Sequence, residues 1–182
     1  MSTHAGKKPE QHIERLSKIK LLSLDVDGVL TDGGIYYTDS GDSFRKFNAK
    51  DGMGIVHLQA VGIPVCLISM GLPGAIDFRA KRLGIKHVYT DVADKAGTMR
   101  EIAAELGISL ADIAHMGDDI NDLKLFDLVG LRISVADGMD EVKQAADIIS
   151  TKVGGAGAVR EITDIIRKAQ GSNVSTAIPT FN

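Results

Sequence analysis

The sequence predicts an α/β fold, a Rossmann-like three-layer sandwich on a central parallel sheet, and three observations predict it. Short apolar runs alternate with longer amphipathic stretches from about residue 20 to residue 169, the pattern of buried strands between covering helices. Glycines stand where three of the amphipathic stretches stop, at Gly62, Gly84 and Gly107, as helix C-termini prefer. A length of 182 residues suits one domain with one core.

Residues 1–19 read as an N-terminal helical extension, with a short amphipathic helix at about 9–18, and the domain proper as 20–170. Its strands are expected at 20–25 ("KLLSLD"), 64–69 ("PVCLIS"), 87–90 ("HVYT"), 113–117 ("IAHMG") and 131–135 ("LRISV"), with a short edge at 147–149. Helices are expected at about 52–61, 74–83, 94–106, 120–126, 139–145 and 156–169. One interval breaks the alternation. "GIYYTDSGDSFRKFN", residues 34–48, has two β-prone runs around Asp39-Ser40-Gly41 and reads as a β-hairpin inserted after the first strand. From Gly171 the chain is polar and Gly/Ser-rich, so 171–182 is expected to be a flexible tail unless a partner holds it.

Composition excludes several classes. A net charge of −3 gives no basic footprint for nucleic acid, and the absence of Trp leaves few stacking platforms for bases. No apolar run approaches a membrane span, and the N-terminal segment has no apolar stretch of the secretory kind, so a cytoplasmic location is expected. The single cysteine, Cys66, rules out an intramolecular disulfide, and its place in "IPVCLIS" reads as a buried strand residue.

The chemistry gathers at the strand ends, which in a parallel sheet share one edge. The first strand delivers Asp25 and Asp27, the second Ser69; the third leads to Asp94-Lys95, and the fourth to Gly117-Asp118-Asp119 with Asn121-Asp122 close behind. So many carboxylates repel one another unless a cation neutralises them, and hard oxygen ligands without His or Cys favour Mg²⁺ over zinc. On a phosphate ester, Asp25 fits a nucleophile passing through an aspartyl-phosphate, and Asp27 a general acid that protonates the leaving oxygen and later activates water. Ser69 and Lys95 fit binders of phosphoryl oxygens, and Gly28 lets the chain leave the strand sharply. Each has a plainer reading: a Ser after a strand as a helix cap, a Lys as a solvated face, "GDDIND" as an acidic turn. His115, His57 and His87 read as core or sheet residues rather than ligands.

The ordered motifs D-x-D-G-V-L-T, strand-final Ser, Lys, and G-D-D-x-x-D resemble the haloacid dehalogenase superfamily of phosphohydrolases over about residues 20–168. The resemblance implies Asp25 as nucleophile, Asp27 as acid/base, and Ser69 and Lys95 as phosphate binders. It also implies metal ligation by Asp25, Asp118 and the main-chain carbonyl of Asp27, with Asp119 and Asp122 orienting the metal's water shell. Neither the 43 residues 26–68 nor the 22 residues 96–117 can hold a cap domain, so an open site is expected, which either accepts a macromolecule or is covered by a neighbouring subunit, with the hairpin and the tail as candidate covers.

"DVDGVLTDGGIYY", "FNAKDGMGI", "HMGDDINDLKLF" and "GGAGAVREI" are similar, in order, to signatures of the capless branch of 3-deoxy-D-manno-octulosonate 8-phosphate phosphatases and their nonulosonate 9-phosphate relatives. That branch implies a small phosphorylated sugar acid as substrate, a step in lipopolysaccharide precursor synthesis, and a homo-oligomer, typically a tetramer whose hairpins pack together. Lys50, Gly71 and Arg160 are the substrate-binding positions it implies, with a helix-start salt bridge as the plain alternative for Arg160. One departure stands out. Where the octulosonate enzymes read Thr-Gly-Arg, this chain has Ser69-Met70-Gly71-Leu72-Pro73-Gly74, and Leu72 carries no guanidinium for a sugar acid.

Three rival readings remain. A signalling receiver domain would place its acceptor after the third strand, near Asp91, and has no need of Asp-x-Asp-Gly at the first. A degenerate phosphosugar-binding module fits the altered "SMGLPG", although every catalytic position holds a competent residue. A phosphomutase shares the aspartyl-phosphate, but without a cap water is hard to exclude, so hydrolysis is expected.

Overall fold

The computed structural model describes residues 8–172. Its main sheet has six strands, all parallel, in the order β5-β4-β1-β6-β7-β8. They are β1 (Leu21–Leu24), β4 (Val65–Ile68), β5 (His87–Tyr89), β6 (Ile113–Gly117), β7 (Leu131–Ser134) and the edge β8 (Ile148–Ile149). Strand β1 lies at the centre, with Leu22 beside Val65 of β4 and Ala114 of β6. The chain runs outward from β1 to β5, then crosses back to β6 on the other side. The crevice at the carboxyl ends of β1 and β6 is thus the topological switch point where open α/β sheets bind ligands.

Strand alternation sorts the core into two layers. Leu22 and Leu24 face α2 (Ala49–Ala60), α3 (Ala75–Leu83) and α7 (Ala158–Ala169), packing with Ile55, Leu58, Ile76 and Ile162. Leu21, Cys66 and Ile113 face α4 (Lys95–Leu106) and α5 (Leu123–Phe126), against Met99, Ile102 and Leu125. Helix α6 (Asp140–Ala145) adds a smaller cluster of Phe126, Val142 and Ala146. Cys66 is fully buried, and burial pushes its thiol pKa up, as a structural cysteine requires.

Helix ends follow their local chemistry. Gly84 and Gly107 take the left-handed conformation that ends α3 and α4, and Gly62 does so one residue past the C-cap of α2. Three elements differ in extent from the sequence expectation. Helix α2 starts at Ala49 rather than 52, because the Asn48 side chain accepts the Lys50 N–H at 2.8 Å and caps it. The 120–126 stretch is a 3₁₀ turn, Ile120–Asp122, leading into α5. The 9–18 stretch is a proline-started 3₁₀ turn, Pro9–His12, followed by α1 (Ile13–Leu16). The hairpin pairs β2 (Tyr36–Tyr37) with β3 (Ser43–Phe44), and the Tyr36 and Phe44 rings stack at 5.1 Å between centroids. Of the expected flexible tail, residues 173–182 lie outside the described residues.

The N-terminal extension is tied to the sheet by charge. Asp147 accepts from the Arg132 guanidinium at 2.8 and 2.9 Å and pairs with Arg15 of α1 at 2.9 Å. Burial alone would raise its pKa, but hydrogen bonds from Arg132 and Arg15 hold it well below the usual carboxylate range. The folded pKa is thus below the unfolded one, so this stabilisation is present at neutral pH and lost as pH falls through the acid range. Asp147→Asn is expected to lower stability by about 1–2 kcal/mol at pH 7. The difference should shrink on acidification, read by urea denaturation at several pH values.

Candidate active site

The expected carboxylates meet at the β1/β6 crevice, and the backbone explains why. The Asp25 N–H still bonds to the Met116 carbonyl of β6, at 3.0 Å, so the ladder itself fixes the first carboxylate. Beyond it the chain turns at once. The Leu30 and Thr31 N–H groups return to the Val26 carbonyl, and the buried Thr31 hydroxyl accepts from Gly28 and Gly33 at 3.3 and 3.2 Å. Gly28 has φ of +86°, and a Cβ there would collide with the Asp118 carboxylate. Gly28→Ala is therefore expected to add about 1–2 kcal/mol of backbone strain and to displace Asp118. The stabilisation given by Mg²⁺ in a thermal melt should shrink or vanish in that variant.

Asp25 is 5 % exposed; its Oδ1 accepts the Val26 N–H and its Oδ2 the Lys95 ammonium, both at 2.7 Å. Lys95, first residue of α4, also donates to Asp122 Oδ1 at 2.7 Å and to Asn121 Oδ1 at 3.2 Å. Its three N–H groups are then all engaged. Ser69, buried at the end of β4, accepts the Gly71 N–H at 2.9 Å.

The G-D-D-x-x-D loop assigns different work to each acid. Asp122 is fully buried: Oδ1 meets Lys95 and, at 3.1 Å, His115 Nε2, while Oδ2 accepts the Asp118 N–H at 3.1 Å and the Asp119 N–H at 3.4 Å. Burial would raise its pKa, but His115 and Lys95 outweigh that and hold it down as a carboxylate. Asp119 is exposed and caps the 3₁₀ turn through the Ile120 N–H. Asp118 has a buried Oδ1 with no hydrogen-bond partner, and its pKa is pushed up to about 8, by burial first and then by Asp25, Asp122 and Asp119. Burial and the Asp122 charge raise Asp25 as well.

This is a cluster that calls for a cation. One carboxylate oxygen from each of Asp25, Asp118 and Asp122 lies within 4.8 Å of the others, and the donor set is oxygen only, as Mg²⁺ prefers. Asp118 has the unpartnered oxygen; Asp25 accepts one hydrogen bond at each oxygen and keeps lone pairs for a cation, whereas Asp122 accepts two at each and suits a supporting place.

The other expected positions are not all brought here. Arg160 pairs with Asp164 within α7 at 2.7 Å, and its N–H caps onto Asp51 at 2.8 Å. Lys50 is exposed in the first turn of α2. No contact found among the described residues ties either to the Asp25 cluster. Arg79 is turned toward α2, donating to the Asn48 carbonyl at 3.1 Å and lying over the Phe47 ring. Counted from Ser69, the third position of the altered triplet is Gly71, with Leu72 exposed one residue further on.

Two residues enter that sequence reasoning did not assign to the site. His115 is fully buried, joined to Ser23 Oγ at 3.0 Å as well as to Asp122. Its only signal in the sequence was its face: it sits opposite Ser23 in the β1/β6 register. Arg45, just after β3, grips Asp27 with two hydrogen bonds, Nε to Oδ1 at 2.8 Å and Nη2 to Oδ2 at 3.1 Å. Nothing in "SFRKF" marked it.

Fold and site define a haloacid dehalogenase-like hydrolase, and the model of that family matches residues 73–162. The chain is 36 % identical over 159 residues to the 3-deoxy-D-manno-octulosonate 8-phosphate phosphatase KdsC of Escherichia coli (strain K12), covering 87 % of this chain and 85 % of that one. It belongs to the 3-deoxy-D-manno-octulosonate 8-phosphate phosphatase family. Among solved structures, the Moraxella catarrhalis enzyme in complex with magnesium ion, phosphate ion and KDO superposes with a TM-score of 0.87 at 38 % identity, covering 89 % of this chain and 93 % of that one. The cobalt-bound Haemophilus influenzae enzyme gives 0.83 at 36 % identity, covering 86 % and 92 %.

Proposed function

We propose that this protein is a Mg²⁺-dependent phosphomonoesterase that hydrolyses 3-deoxy-D-manno-octulosonate 8-phosphate through an aspartyl-phosphate on Asp25. The observation that carries the reading is the buried Asp25–Lys95–Asp122 chain, set beside an unpartnered Asp118 oxygen at the switch point of the sheet. Relatives named for that substrate, and a neighbour holding magnesium, phosphate and KDO, support it.

The Asp25 carboxylate is held at both oxygens, so its attacking lone pair is aimed without reorganisation. It forms a bond to phosphorus as the bond from phosphorus to the sugar oxygen breaks, and Asp27 delivers a proton to that oxygen. Asp27 then takes a proton from water, whose oxygen attacks phosphorus and releases Asp25 and inorganic phosphate. Ser69 faces the phosphoryl group with its hydroxyl, and Lys95 holds the nucleophile with its ammonium. Asp25, Asp118 and the Asp27 carbonyl would hold Mg²⁺, which when bound supplies positive charge to offset carboxylate and phosphate repulsion. Asp119 and Asp122 would support its surroundings.

Two finer points belong to the same reading. The exposed Ile35, Tyr36, Tyr37 and Phe44 of the hairpin support a homo-oligomer, a tetramer with hairpins in contact, to be measured by sedimentation. A cytoplasmic reaction in lipopolysaccharide precursor synthesis goes with that substrate, and no helix among the described residues is long and apolar enough to cross a membrane.

The test is Mg²⁺-dependent phosphate release from octulosonate 8-phosphate, a nonulosonate 9-phosphate and simple sugar phosphates. Preference for the first supports the reading. Turnover of another phosphosugar alone would keep the mechanism and move the substrate, and turnover of none by metal-loaded protein would favour a binding module.

A further inference from the structure

Among the described residues, the site is short of a free cation. Lys95, buried behind the nucleophile, has its three N–H groups on Asp25, Asn121 and Asp122. Asp25, Asp118 and Asp122 cluster there, yet the entering phosphomonoester is itself an anion. Arg45 is differently placed. It comes from the hairpin rather than the sheet, its side chain is 11 % exposed, and only two of its five N–H groups are on Asp27. The gap at Gly71 adds a second observation. A Cβ there would lie 2.8 Å from Arg45 Nη2, 2.8 Å from Asp27 Oδ2 and 3.1 Å from Ser69 Oγ. The guanidinium, the acid/base carboxylate and the Ser69 hydroxyl therefore converge on one small space that only glycine leaves open.

We propose that Arg45 is a substrate-binding residue, holding Asp27 in the free enzyme and taking an oxyanion of the substrate when the site fills, in the room left by Gly71. This rests on the phosphatase reading above. The exchange is balanced, since one charge-assisted pair replaces another and Asp27 is released to face the leaving oxygen. The oxyanion is the phosphoryl group or the carboxylate of the sugar acid. A planar fork suits either, and an ammonium would not reproduce its two-point grip.

The test compares Arg45→Gln, Arg45→Lys and the control Lys46→Gln with the unmodified full chain. Lys46 pairs with Asp32, so its substitution removes the neighbouring hairpin charge at the surface without touching Asp27. Inorganic phosphate is titrated calorimetrically into each Mg²⁺-loaded protein, and KM and kcat are measured for octulosonate 8-phosphate and for p-nitrophenyl phosphate, which has no carboxylate. Arg45→Gln is expected to raise KM for octulosonate 8-phosphate roughly 10-fold or more, with a smaller change in kcat. Arg45→Lys should recover part of the loss, and Lys46→Gln should behave as the unmodified protein. Weaker phosphate binding, with KM raised for both substrates, assigns the phosphoryl group; a rise confined to the octulosonate assigns the carboxylate. Unchanged phosphate binding and unchanged KM values, whatever kcat does, would overturn the proposal, as would equal effects from Lys46→Gln. If the unmodified protein hydrolyses no monoester, the phosphatase reading fails, and the phosphate titration still decides whether Arg45 binds an oxyanion.

Discussion

Asp25→Asn is expected to cut phosphate release by at least roughly 1,000-fold while raising the melting temperature of the metal-free protein. The first effect follows from the amide having no carboxylate oxygen to form the acyl phosphate. The second follows from the cluster's own repulsion. Burial and the neighbouring Asp122 charge raise the Asp25 pKa, so its folded value lies above its unfolded one. A carboxylate shifted that way binds its proton more tightly in the folded state, so it destabilises the fold as pH rises and not as it falls. Asparagine keeps the shape and cannot ionise. The gain should be present at pH 7.5 and fade toward pH 4, where Asp25 is protonated anyway.

Asp118, pushed up to about 8, carries the same sign, so Mg²⁺ should stabilise the unmodified protein most on the alkaline side. Thermal melts with and without Mg²⁺ across that range, beside phosphate release, check both halves. A lower melting temperature in metal-free Asp25→Asn at pH 7.5 would show instead that the Lys95 pair outweighs the repulsion.

Why was so much of this legible in sequence and some of it not? That Asp25, Asp27, Lys95 and Asp118 meet at one place is readable because strand periodicity puts the strand ends on one edge, where charge repulsion calls for a cation. Arg45 was invisible because its reach to Asp27 depends on how the hairpin folds back over the crevice, a tertiary fact that no local pattern encodes. Arg160 reads similarly as a site residue or as a helix-start ion pair until α7 is docked, where Asp164 and Asp51 account for its contacts. His115 looked like a core histidine and is one, buried between Ser23 and Asp122. Its place in the sheet register brings that core hydrogen bond to the site.

Asp119 and Asp122 show the same limit more sharply, and the second large effect is expected there. By motif alone the two acids are equivalent supports; in the fold one is exposed and the other has no accessible surface. Four donors converge on Asp122: the Lys95 ammonium, His115 Nε2 and the N–H groups of Asp118 and Asp119. A carboxylate only accepts, so His115 Nε2 donates to Asp122, while Nδ1 pairs with the Ser23 hydroxyl. Asp122→Ala leaves a buried ammonium with one carboxylate fewer and the loop's N–H groups unpaired, a loss of about 3 kcal/mol. Relief of repulsion on Asp25 and Asp118 offsets part of it. Asparagine is little better, since it presents one acceptor oxygen where two are used on both sides. Asp119→Ala loses a capping bond at the surface and should cost about 1 kcal/mol or less. Guanidinium denaturation of the three proteins separates the cases, with the midpoint falling steeply for Asp122→Ala and barely for Asp119→Ala at unchanged slope. Equal midpoints would mean that the acidic loop is held by its backbone alone. Activity should follow the same order, because Asp122 sets where Lys95, and through it the nucleophile, can stand.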